Sequence, residues 1–81
     1  MKVINVIVLK KGNLQYIKSF VIEEFDIENE KVKLAEQEFE DALREEDEAH
    51  LDSGDIEFYT EQGEYSNNNG FQAFLVWSEI M

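Results

Sequence analysis

Two runs rich in β-branched and aromatic residues, 2–10 and 15–23, stand on either side of Lys11-Gly12-Asn13-Leu14. Gly-Asn can supply the positive φ angles that a two-residue turn demands, so the runs are expected to pair as an antiparallel hairpin. With Lys11 facing Leu14, the register follows by counting outward. One face then carries Val8 opposite Ile17, Val6 opposite Ser19 and Ile4 opposite Val21, ending in Lys2 opposite Glu23 and Lys10 opposite Gln15. The other carries Leu9 opposite Tyr16, Ile7 opposite Lys18, Asn5 opposite Phe20 and Val3 opposite Ile22. The first face reads as core. The second is too apolar for open water and too polar for a sealed interior, which makes it a contact surface.

After Phe25-Asp26-Ile27 the apolar period lengthens from two to between three and four. Val32, Ala35, Phe39, Ala42 and Leu43 then share one stripe of a helix over about 29–46, fraying toward His50. Asp26 or Asn29 can cap its start, Glu28 and Glu30 suit the positive end of its dipole, and Glu40 and Arg44 are spaced for an ion pair. Asp52-Ser53-Gly54-Asp55 reads as a turn and Ile56 to Thr60 as a strand, with Ile56 and Phe58 on one side. Gln62-Gly63 reads as a bulge or turn, and Ser66-Asn67-Asn68-Asn69-Gly70 as a loop. In the last ten residues Phe71, Phe74, Leu75 and Ser78 would also suit a helix capped by Asn69, but the aromatic and β-branched content favours a strand over 71–80.

The expected architecture is thus α+β, a single ββαββ domain over 1–81. An antiparallel sheet would carry one acidic amphipathic helix on one face. The expected core is Val6, Val8, Ile17, Val21, Val32, Phe39, Leu43, Phe58 and either Phe74 or Leu75. A chain of 81 residues buries a modest share of its surface, so a large substrate pocket is not expected. The apolar N-terminal run is broken by Asn5 and closes on Lys10-Lys11-Gly12, which reads as a strand and not as a signal peptide. Together with the absence of cysteine, this points to a cytoplasmic protein.

Charge is the other constraint. Nineteen acidic residues against seven basic ones give a net charge of -12, beyond the magnitude of about 2 to 8 that solubility asks of a small domain. Residues 1–22 hold Lys2, Lys10, Lys11 and Lys18 and no acid, so all nineteen acids fall in the rest of the chain. Such a surface repels nucleic-acid phosphates and anionic membranes, and it attracts a basic partner. Glu45-Glu46-Asp47-Glu48 concentrates the charge at the end of the helix, where the dipole disfavours it. This local cost suggests a further purpose for those acids.

Catalytic and metal chemistry lack their usual constellations. His50 is the one histidine, and none of Ser19, Ser53, Thr60, Ser66 or Ser78 stands beside it as a nucleophile would. Glu46, His50, Asp52 and Asp55 lie close together but without the spacing of a calcium loop. Gly12, Gly54, Gly63 and Gly70 are isolated, so no phosphate-binding loop is present. The expected function is that of a small acidic, non-catalytic binding protein without cofactor or metal, covering a basic surface on a protein partner. By analogy it could be an inhibitor from a phage or mobile element that mimics nucleic acid, or an antitoxin or immunity protein. The residues expected to carry this are Glu36, Glu40, Asp41, Glu45, Glu46, Asp47 and Glu48. The alternative is a self-associating structural or accessory protein that forms a homodimer through the second sheet face, at Leu9, Tyr16, Phe20 and Ile22. In that case the acids would serve solubility only.

Overall fold

The structure, a computed structural model, describes residues 2–23 and 30–79. Strands β1 (Lys2–Lys10), β2 (Asn13–Ile22), β3 (Glu64–Ser66) and β4 (Phe71–Glu79) form one antiparallel sheet in the order β2-β1-β4-β3. Helices α1 (Glu30–Asp47) and α2 (Ser53–Gln62) lie between β2 and β3 in the chain. The fold is α+β, as the change of period implies, with a second helix that the expected ββαββ order lacks. Asp26, Glu28 and Asn29, expected at the helix start, lie outside the described residues.

The hairpin forms, but its register differs from the one counted off the sequence. The turn sits one residue earlier, at Lys11-Gly12, with Lys10 paired to Asn13 and Leu9 to Leu14. Lys11 takes φ 51° and Gly12 φ 80°, the pair of positive angles that a type I′ turn requires. The Lys11 backbone N–H donates to the Gly70 carbonyl at 2.8 Å, which docks this turn on the β3–β4 loop. β2 then carries an unpaired Gln15, so that Val8 lies opposite Tyr16, Val6 opposite Lys18 and Ile4 opposite Phe20. One extra residue turns a strand over. Ile22 is therefore buried in the core, with Tyr16 and Phe20 packed against it, whereas Ile17 and Val21, expected inside, are exposed. Of the surface expected for self-association, Leu9 alone stays off the core face; Tyr16, Phe20 and Ile22 leave it.

β4 follows the same alternation. Phe71 and Ala73 belong to the core and Leu75 packs on it, so Gln72, Phe74, Val76 and Ser78 point away. Phe74 is thus not the core alternative to Leu75. The strand expected over 71–80 is present over Phe71–Glu79.

On α1, Ala35, Phe39, Ala42 and Leu43 are buried and Val32 packs against them, which is the stripe that the spacing predicts. Arg44 pairs with Asp41, Nη1 to Oδ1 3.9 Å, in place of Glu40. The larger correction falls at Asp52-Ser53-Gly54-Asp55, which starts a helix. The Asp52 carboxylate accepts from the Asp55 N–H at 2.8 Å and the Asp55 carboxylate accepts from the Asp52 N–H at 3.3 Å. This reciprocal capping box satisfies two donors that a helix start leaves without partners. Ile56 and Thr60 then fall on the buried side and Phe58 on the exposed side, so Phe58 is not core. The helix ends at Gly63, which takes the left-handed φ of 76° and donates its N–H to the Tyr59 carbonyl at 2.9 Å. Gly63 is also the first step of the sheet, because its carbonyl accepts from Leu75 N–H at 2.8 Å.

A β-carbon on Gly63 would stand 2.8 Å from the Leu75 carbonyl oxygen, a backbone atom that cannot turn aside. Gly63→Ala should therefore cost at least about 1 kcal/mol in urea unfolding, through the clash and the left-handed angle together. Phe39→Ala should cost about 3–5 kcal/mol, and Phe58→Ala, at a position 54% exposed, less than about 1 kcal/mol. If Phe58 and Phe39 proved equal in the same assay, the helical assignment of α2 would be wrong.

Candidate functional site

α1 rises about 1.5 Å per residue, so its 18 residues carry Glu30, Glu36, Glu38, Glu40, Asp41, Glu45, Glu46 and Asp47 along about 27 Å. The structure divides these acids into two groups. Glu38 reaches β2, with an oxygen 2.7 Å from Lys18 Nζ, and Glu46 reaches β1, with an oxygen 3.2 Å from Lys10 Nζ. Two of the lysines from the acid-free N-terminal segment thus stand on the helix side of the sheet and neutralise the edge of α1 nearest the hairpin.

Asp47 belongs to a different arrangement. Its side chain is 11% exposed. The Tyr65 hydroxyl and the Asn67 amide, the latter at 2.7 Å, both donate to Oδ2. These two hydrogen bonds favour the charged form and hold the Asp47 carboxyl below the usual carboxylate range. Desolvation, with the hydrogen bond to Asp47 second, pushes the Tyr65 hydroxyl up to about 12. Asn67 in turn accepts from the N–H groups of Asn69 and Phe71 at 2.9 and 3.1 Å, which shapes the β3–β4 loop. The Asp47 carbonyl accepts from the N–H groups of His50 and Leu51 and so closes α1. Asp47 is a structural residue that ties the end of α1 to the β3–β4 hairpin.

The remaining expected residues form the outward group. Asp41, Glu45 and Glu48 are exposed, and Glu36 and Glu40 are half-buried. Asp41 also accepts from Gln37 Nε2 at 2.7 Å. On α2, Glu57 and Glu61 are exposed, and Asp52 and Asp55 are spent on the capping box. Of the seven acids expected to meet a partner, Glu46 and Asp47 are therefore turned to internal contacts, while Glu36, Glu40, Asp41, Glu45 and Glu48 remain on the helical layer.

Sequence reasoning missed Asp47 as an anchor because its partners, Tyr65 and Asn67, lie 18 and 20 residues away. A signal was available in the unfavourable dipole position of the acids, which the internal contacts of Glu46 and Asp47 offset. His50 lies 4.0 Å from Asp47 and is otherwise exposed, and among the described residues no three of His, Cys, Asp and Glu are grouped to hold a metal ion. An open groove lies between the hairpin and α1, lined by Val8, Lys10, Tyr16, Ala42, Glu45 and Glu46. No described helix is long and apolar enough to cross a membrane.

The Asp47–Tyr65 pair gives stability two pH limits. The Asp47 carboxyl is held low in the fold, so its contribution is present above its ordinary value of 3.8 and is lost as pH falls through that region and below. The neutral Tyr65 hydroxyl is favoured in the fold, so its contribution is present below 10.0 and is lost as pH rises from there through about 12. Tyr65→Phe should shorten the alkaline limb, to which Tyr16, raised by burial, and Lys18, raised by its bond to Glu38, also contribute, and should lower stability at neutral pH by about 1–2 kcal/mol. Urea unfolding at a series of pH values reads both, and an unchanged alkaline limb would sink the assignment.

No protein family, curated protein or solved structure matches this chain.

Proposed function

We propose that the protein is a small cytoplasmic, non-catalytic binding protein whose helical layer covers a basic surface on a protein partner. The observation that carries this reading is the partition of charge between the two sides of the sheet. Glu36, Glu40, Asp41, Glu45 and Glu48 stand on α1 and its end, with Glu57 and Glu61 on α2, whereas the strand residues that point away from the helices carry one charge, Glu64. Acids spread for solubility alone would have no reason to gather on one layer. A field of one sign over one face speeds encounter with a surface of the opposite sign and discourages other partners.

The internal use of Glu38, Glu46 and Asp47 sharpens the reading. α1 as a sequence carries one acid per about 3.4 Å, the spacing of charge along one nucleic-acid strand. With three of its eight acids held by Lys18, Lys10 and the Tyr65–Asn67 pair, the outward density is lower. The reading favoured is a basic protein surface met by a handful of carboxylates. A close copy of a phosphate backbone is less well supported.

Binding should be dominated by exposed acids and weaken steeply with salt. In a pull-down from the native host, the triple variant Asp41→Lys, Glu45→Lys and Glu48→Lys should lose a partner that the unmodified protein retains at low salt and releases at high salt. Glu46→Gln, which touches an internally paired acid, should keep it. Retention of the same partner by the triple variant at low salt would refute the proposal. Competition by duplex DNA for that partner would identify its basic surface as a nucleic-acid site.

A further inference from the structure

The face of the sheet turned away from the helices is uncharged over its three long strands and largely apolar. Its rows run Ile17–Ile7–Phe74 and Leu14–Leu9–Gln72, with Val76 beside Asn5. Leu14, Ile17, Val21 and Val76 are 55, 51, 38 and 42% exposed, whereas Val3, between Val21 and Ser78 at the far end of the same face, is 8% exposed, so the face is open mainly from Asn5 to the hairpin turn. The polar pair in the middle of the face is paired internally, because the Ser19 hydroxyl and Asn5 Oδ1 are 2.6 Å apart. Among the described residues no helix or strand covers this face: α1 packs over the opposite one, and α2 packs on α1 and β3.

We infer that this face binds the same face of a second copy of the chain, forming a homodimer in which two sheets stack with their helical layers outward. Two arguments select a second copy as the occupant. The first is charge. Each chain carries a net charge of -12, so two copies repel in any arrangement that brings their helices together. Stacked sheets lie about 10 Å apart and each helix adds about 10 Å more, which sets the acidic layers about 30 Å from one another. That distance is about three Debye lengths at 0.1 M salt, so the repulsion is screened in this arrangement.

The second argument is area. Strands of nine or ten residues run about 30 Å, and three at about 4.8 Å spacing give a footprint of about 430 Å² per copy before side-chain relief is counted. Two copies then bury about 860 Å² by this planar measure, which places the interface in the small, weak and transient class. The dimer is accordingly expected to be concentration-dependent, with half-association in the range of about 1 to 100 µM. This pairing is separate from the acidic surface proposed above and does not depend on it.

Sedimentation equilibrium of the purified chain tests it. A species of about 19 kDa, twice the 9.5 kDa chain, should appear as concentration rises and should persist or strengthen as salt is added. Ile17→Lys and, separately, Val76→Lys each place an ammonium group twice in a two-fold interface and should raise the dissociation constant at least roughly 100-fold. Both positions are exposed, so circular dichroism should report an unchanged fold. Leu34→Lys, at a 58% exposed position on the outer side of α1, should leave dimerisation intact. Hydrogen exchange on the unmodified protein gives a reading that needs no variant: concentration should leave the outward amides of edge strand β2 unprotected. The inference falls if the chain stays monomeric to about 1 mM, if Leu34→Lys is the variant that dissociates it, or if β2 amides gain protection, which would mean pairing edge to edge.

Discussion

Between the turn at Lys11-Gly12 and Tyr16, β2 carries one residue more than β1, and that surplus decides which side chains meet the helix. Side chains alternate across a strand with a period of two, so a surplus of one exchanges the two faces for every residue beyond it. Tyr16, Phe20 and Ile22 are delivered to α1, where Phe39 and Leu43 are fully buried, and Ile17, Ser19 and Val21 are delivered to the open side. Both the core and the uncovered face follow from Gln15 being left out of the ladder.

Local polar chemistry then uses several acids before any is free for a partner. Asp52 and Asp55 cap each other and start α2, Asp47 anchors the end of α1 to Tyr65 and Asn67, and Glu38 and Glu46 hold Lys18 and Lys10. The exposed ion pairs contribute little stability, since such pairs are worth about 0–1 kcal/mol each. Their effect is on the field: they neutralise the side of α1 nearest the hairpin and leave the outward side acidic. The Asp47 contacts differ, because they are nearly enclosed and join elements distant in the chain.

The outcome is a two-sided object with an acidic helical layer over one face of the sheet and a neutral apolar surface on the other. Each side suits a different kind of contact, salt-sensitive on the helical layer and salt-tolerant on the sheet. The two can operate together, because a face-to-face dimer leaves the helices exposed.

Local sequence determined the α+β class and the stripe of α1 from Val32 to Leu43 through apolar spacing, the hairpin through its turn residues, and the strand at Phe71–Glu79 through aromatic and β-branched content. It also determined the acidity of the helical segment. Tertiary structure decided the rest. The hairpin register hung on the turn falling at Lys11-Gly12, reinforced by the bond from Lys11 to Gly70 on a distant loop, and on Gln15 being left unpaired, which exchanged the faces. Ile56 to Thr60 alternates like a strand, yet the Asp52–Asp55 box and the fit of Ile56 and Thr60 against the rest of the fold made it helix. Which acids face outward was equally beyond the sequence, since Lys10, Lys18, Tyr65 and Asn67 reach α1 only once the sheet is assembled. A carboxylate's neighbours in space, not in sequence, determine whether it is a structural contact or part of a binding surface.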